Sequence, residues 1–120
     1  MFSTLSDVKE IWNGFAGKGD AEGPHIYRKD DYHSLPTAEA GTFEQHLVAI
    51  ARSKDIWGSY KSYDKNPLLT AYKKDELVQN TEHADLFKDT SDSWLEFCLG
   101  VRNIDNRYPI GRETFLTLVA

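Results

Sequence analysis

Apolar positions recur along the chain at spacings of three and four. Leu5, Val8, Ile11, Trp12 and Phe15 fall on one side of a helical period, which predicts a helix over Leu5–Phe15. Ser6 or Thr4 can cap its start, because a short hydroxyl accepts a bond from an orphan amide. Gly14, Gly17 and Gly19 then end it. Thr42-Phe43-Glu44-Gln45 fits a capping box, and Phe43, Leu47, Ile50 and Ala51 share a face, so a second helix is expected from Thr42 to about Ser53. Asn66-Pro67 reads as the cap and first residue of a third, with Leu68, Leu69, Ala71 and Tyr72 following. Short helical turns are expected near Asp75–Val78 and His83–Phe87. The segment from Ser93 to Gly100 is capped and apolar nearly all round. It reads as the most buried helix, with a buried strand as the competing assignment. Glu113–Ala120 is apolar and β-branched, and its period does not decide between helix and strand.

Residues 17–41 break this pattern. They hold Gly17, Gly19, Gly23, Pro24, Pro36 and Gly41, with His25–Tyr32 as a short strand or ordered loop. A connection of this length in a small domain is a place to look for a site. Together the signals predict a mainly α fold: one compact domain over residues 1–120 with four to six helices. The alternative is α+β, with a small sheet drawn from segments 25–32, 94–101 and 113–119.

Composition narrows the function classes. The 120 residues carry 14 Lys and Arg against 19 Asp and Glu, a net charge of −5, which disfavours binding to a phosphate backbone and favours a basic partner. The single cysteine, Cys98, excludes an internal disulfide, and between Phe97 and Leu99 it reads as a packed core thiol. The first residues lack a basic and then apolar leader, and no run reaches the ~20 apolar residues of a membrane span, so a cytoplasmic, membrane-free protein is expected.

Candidate chemistry is sparse. His25, His33, His46 and His83 form no close metal-ligand pattern, so neither a metal nor a cofactor is expected. His25, Asp30, Asp31 and His33 could converge in the 25–33 loop, where a carboxylate beside an imidazole makes a general-base pair. Arg102, Arg107 and Arg112 could grip an anion, or pair with neighbouring acids. The strongest charge feature is Asp75, Glu76, Glu82, Asp85, Asp89 and Asp92, beside an aromatic set of Trp57, Tyr60 and Tyr63. Clustered carboxylates steer a cationic partner and aromatic rings anchor it. The leading expectation is therefore a small acidic binding module, of the type of a bacterial immunity or inhibitor protein that covers the active site of a basic toxin or nuclease. The alternatives are a small enzyme using the 25–33 loop and an accessory subunit of a complex.

Overall fold

The computed structural model describes residues 6–17, 20–41, 43–105 and 107–119, and among them every regular element is a strand. The strands are β1 (Tyr27–Lys29), β2 (Tyr32–Glu39), β3 (Leu47–Ser53), β4 (Lys61–Ser62), β5 (Leu69–Thr70), β6 (Val78–Lys88), β7 (Trp94–Arg102) and β8 (Arg112–Leu118). The first sheet runs β1-β2-β3-β4, with β5 also paired to β3. The second is the meander β6-β7-β8. Every pairing is antiparallel.

The mainly α reading is therefore corrected. The helix expected over Thr42–Ser53 is largely β3, the centre of the first sheet. Val48, Ala49 and Ala51 are all buried there, so both faces are covered and the alternation of a half-exposed strand is erased. The helix expected over Leu5–Phe15 is, from Ser6 onward, an irregular segment in which Val8 is 95% exposed. Its cap Thr4, its first residue Leu5, the second cap Thr42 and Gly19 lie outside the described residues. Asn66-Pro67 joins β4 to β5 through a cis peptide bond rather than opening a helix. Trp94 to Gly100 lie in β7, and of the undecided end Glu113 to Leu118 lie in β8, with Ala120 outside the described residues. The α+β alternative fails as well, because its first segment lies in one sheet and the other two lie in the second.

Local pairing explains how a proline sits within a strand. Pro36 of β2 stands opposite Ile50 of β3. Ile50 turns its backbone groups the other way: its N–H donates to Asn66 Oδ1 at 3.0 Å, and its carbonyl accepts from Asn66 Nδ2 at 2.9 Å. Toward β3, Pro36 thus occupies a position that needs no N–H. The Asn66 carboxamide, carrying both donor and acceptor, stands in for a peptide unit between β4 and β5.

The irregular N-terminal segment is tied to the first sheet. The buried carboxylate of Glu39 accepts from Phe15 N–H at 2.9 Å and from the Thr37 hydroxyl at 2.9 Å. Gly14, at φ +83°, lies where a Cβ would come 3.0 Å from that carboxylate. Ile11 and Trp12 cover Leu35, Ala51 and Tyr60. A second core joins the sheets: Val48 from β3 meets Ala84 of β6 and Cys98 of β7, with Leu68, Leu69 and Phe115 around them. These small residues let the sheets approach closely, and the functional groups gather beside this seam.

Candidate active site

Strand β6 carries the centre of the site. Its sequence, Val-Gln-Asn-Thr-Glu-His-Ala-Asp-Leu-Phe-Lys, is polar for a strand between a sheet and a core. Its pairing with β7 slips between Gln79 and Glu82 and again between Glu82 and Asp85. Asn80 at φ 51° and His83 at φ 42° take left-handed conformations within these irregularities. Bulges of this kind re-aim side chains and concentrate beside functional sites, where strain is tolerated.

The slip turns Glu82 inward. Its side chain is 3% exposed and meets three partners. Arg112, at the start of β8, donates from Nη2 to Glu82 Oε1. His46, fully buried just ahead of β3, places Nε2 2.8 Å from Glu82 Oε2. That approach is off the ring N–H axis, so the contact is electrostatic rather than an aligned hydrogen bond. The ring of His83 places Nδ1 3.4 Å from the same oxygen. Burial, opposed by the Glu82 charge, holds His46 below the ordinary imidazole range, so it remains neutral at physiological pH.

Over this buried charge lies the segment before β1. Glu22 pairs with Ala38 of β2 through reciprocal backbone bonds of 2.9 Å. Its side chain is exposed. Gly23 follows at φ +57°, and a Cβ there would stand 2.9 Å from His83 Cδ2 and 3.0 Å from Nε2. Only glycine lets the main chain lie against that imidazole. Donor atoms of Glu22, Glu82 and His83 all fall within 4.8 Å of one another. Such a trio could hold a cation, although Arg112 already sets a positive charge on Glu82. The arrangement offers one accessible carboxyl, one half-exposed imidazole at 39%, and one guanidinium at 45% held by a buried carboxylate. That set suits proton transfer and the binding of hydroxyl groups.

The residues proposed from sequence scatter. Of the 25–33 set, His25 reaches Asp85 at 3.3 Å, while Asp30 and Asp31 form the exposed β1–β2 turn and His33 sits in β2. They do not share a pocket, because the hairpin turn carries the two aspartates away from the seam. The six acids do not form one outward field either. Glu82 is buried under Arg112, and Asp85 accepts from Tyr27. Asp89 binds the amides of Ser91 and Ser93. Asp92 pairs with Lys88, Glu76 with Lys74 at 3.9 Å, and Asp75 is exposed. Trp57 and Tyr63 are exposed but Tyr60 is 6% exposed in the core, so the three rings make no single surface.

Glu22, His46 and His83 are members of this cluster that the sequence pattern does not group, and Arg112 reads from sequence only as a generic anion ligand. A usable signal was present. Glu22-Gly23-Pro24-His25 packs chemistry into turn-forming residues, and Glu82-His83-Ala84-Asp85 places three ionisable groups in a stretch of strand length.

Comparison with known families decides the assignment: residues 1–120 match Glycosyl hydrolases family 43 across the whole chain. The chain belongs to glycosyl hydrolase family 43. It is 39% identical over 114 residues to a non-reducing end alpha-L-arabinofuranosidase of Bacteroides ovatus, covering 93% of this chain and 21% of that protein. It is 41% identical over 100 residues to a xylosidase/arabinosidase of Butyrivibrio fibrisolvens, covering 82% and 19%. Among solved structures it superposes on a xylan beta-1,4-xylosidase from Bacillus halodurans with a TM-score of 0.89 at 32% identity, covering 95% of this chain and 22% of that one. The chain thus spans about a fifth of the length of these relatives. The family 43 neighbours are β-propeller-type domains, in which antiparallel sheets stand side by side as blades. Family membership overturns the immunity or inhibitor reading and its basic protein partner: the relatives are named for cleaving glycosides. Closeness in sequence does not put carboxylates on one face: Glu82 turns to Arg112 and Asp85 to Tyr27.

Proposed function

We propose that this chain supplies the proton-donor side of a family 43 glycosidase site, acting on terminal xylosides or arabinofuranosides. The relatives named for arabinofuranosidase and xylosidase activity support that substrate class. The single observation that carries the residue assignment is Glu22: an exposed carboxyl set over Glu82 and His83 beside Arg112.

Glycoside hydrolysis ordinarily uses two carboxyl groups, one to protonate the leaving oxygen and one to act on the opposite face of the sugar. Glu22 is suited to the first task because it is open to substrate. Its proton passes to the glycosidic oxygen as the bond to the anomeric carbon breaks, that oxygen keeps the bonding electrons, and the second carboxyl, or a water it activates, bonds to the anomeric carbon from the opposite face. Glu82 is poorly suited to the second task, since it is dry and committed to Arg112. The second carboxyl has to be sought beyond this cluster. Glu82 instead holds Arg112 and His83 in fixed positions, where their N–H groups can bind sugar hydroxyls.

Glu22→Gln, in the natural polypeptide that carries this sequence, tests the assignment with phenyl β-xylosides and phenyl α-L-arabinofuranosides, whose leaving group needs the proton. Loss of about 10²–10⁴-fold in kcat with little change in KM is the expected result. A Glu22→Gln enzyme with near-normal turnover would overturn it.

A further inference from the structure

Asp85 lies two residues beyond His83 on β6, and nothing in the chemistry above uses it. Its Oδ1 accepts the hydroxyl proton of Tyr27, which opens β1 in the other sheet. The same Tyr27 oxygen accepts from Leu86 N–H at 3.1 Å, so the ring is held at both its donor and its acceptor. His25 adds Nδ1 at 3.3 Å from Asp85 Oδ1. Trp94 closes edge-on against Tyr27, with ring centroids 6.2 Å apart. Burial, together with the Asp85 bond, pushes the Tyr27 hydroxyl above its usual range, so it stays protonated and keeps donating.

Between this clamp and Glu22 the chain has little slack. Glu22 is fixed to Ala38 on one side, and His25 is fixed on the other by Asp85 and by its amide to Pro36 O at 3.4 Å. Only Gly23, pressed on His83, and Pro24, with its ring-locked φ, intervene. The strand that carries Glu82 and His83 therefore also anchors the loop that carries Glu22.

We propose that Asp85, through Tyr27 and His25, is a positioning residue that sets the Glu22 carboxyl against the glycosidic oxygen. This rests on the reading of Glu22 as proton donor. An error of about an ångström in a reacting group costs on the order of 10²-fold in rate. Loosening the clamp impairs protonation while leaving the rest of the site assembled.

The test is leaving-group dependence, measured in the natural polypeptide with aryl glycosides running from dinitrophenyl to unsubstituted phenyl. Dinitrophenolate departs without help from an acid, whereas phenol needs the proton. Asp85→Asn and Tyr27→Phe are each expected to lose about tenfold or more in kcat/KM on the phenyl glycoside and less than about threefold on the dinitrophenyl glycoside. Equal losses on both substrates, or no loss on either, overturn the inference, the first because it marks a general structural role. Tyr27→Phe keeps the question open to measurement should Asp85→Asn fail to fold. Glu22→Gln is the parallel control. If it shows no leaving-group dependence, the proton-donor reading itself fails; if it does and the clamp variants do not, only the clamp fails.

Discussion

Arg112 reaches past the central strand β7 to set its guanidinium on Glu82 of β6, so the two outer strands of the second sheet share a charge pair without being neighbours. The pair is unequal. Glu82 is 3% exposed, while Arg112 keeps 45% of its side chain in water.

That inequality predicts an asymmetric response to mutation. Arg112→Ala strands a buried carboxylate beside a neutral imidazole and should cost about 3–5 kcal/mol. Glu82→Gln leaves a guanidinium that water can still solvate, and should cost about 1–2 kcal/mol. Urea denaturation of both variants gives the order directly. A larger loss for Glu82→Gln would mean that the pair is not what compensates the buried charge.

Glu96 makes a different prediction. It is 2% exposed on β7, one of its oxygens is unpartnered, and burial pushes its carboxyl up to about 7. The folded chain therefore keeps a proton that the unfolded chain releases near 4.5. The stability this provides is whole below about 4.5 and is lost as the pH rises through about 7. Glu96→Gln should equal the wild type near pH 4.5 and exceed it at pH 8 by up to about 3 kcal/mol. His46 acts oppositely, since its lowered value means that the unfolded state takes up the proton first as the pH falls below 6.5. With Glu96 replaced, the remaining acid-side decline should steepen. Thermal melts from pH 4.5 to 8 show both effects, and parallel profiles for the two proteins would refute them.

Gly23 is the third case. At φ +57° with His83 against it, it has no room for a methyl group. Gly23→Ala should displace Glu22 from His83 and lower kcat/KM by about 10²-fold. The cost in stability should be only about 1–2 kcal/mol, because the segment is at the surface. Activity that survives the substitution would show that the close approach is not needed.

Much of the fold was hidden in the sequence for physical reasons. β3 is covered on both faces, so Leu47-Val48-Ala49-Ile50-Ala51 shows no alternation, and the preceding capping signal favours helix. β6 was hidden in the reverse manner, since Thr81 and Glu82 are polar residues turned inward. Spacing also misled at Leu5–Phe15, where Val8 points into water. Other features were legible. Cys98 was placed in the core by its apolar neighbours, and it is buried with its thiol pushed up to about 11. The glycine- and proline-rich stretch 17–41 reads as a place to look for a site, and the proton donor proposed above, Glu22, lies within it. The histidines and aspartates of 25–33 stand out there rather than Glu22, because the groups that meet Glu22 are some 60 positions away in sequence and only sheet packing brings them close.

The seam between the sheets is set by some of the smallest core residues in the chain, Val48, Ala84 and Cys98. Glu22 and His46 belong to one side of it, and Glu82, His83 and Arg112 to the other. Those small side chains act as the shim that gauges the constellation. Ala84→Leu would wedge the halves apart and leave a folded protein whose charged groups no longer meet, so bulk at this buried position would register first as lost turnover rather than lost structure.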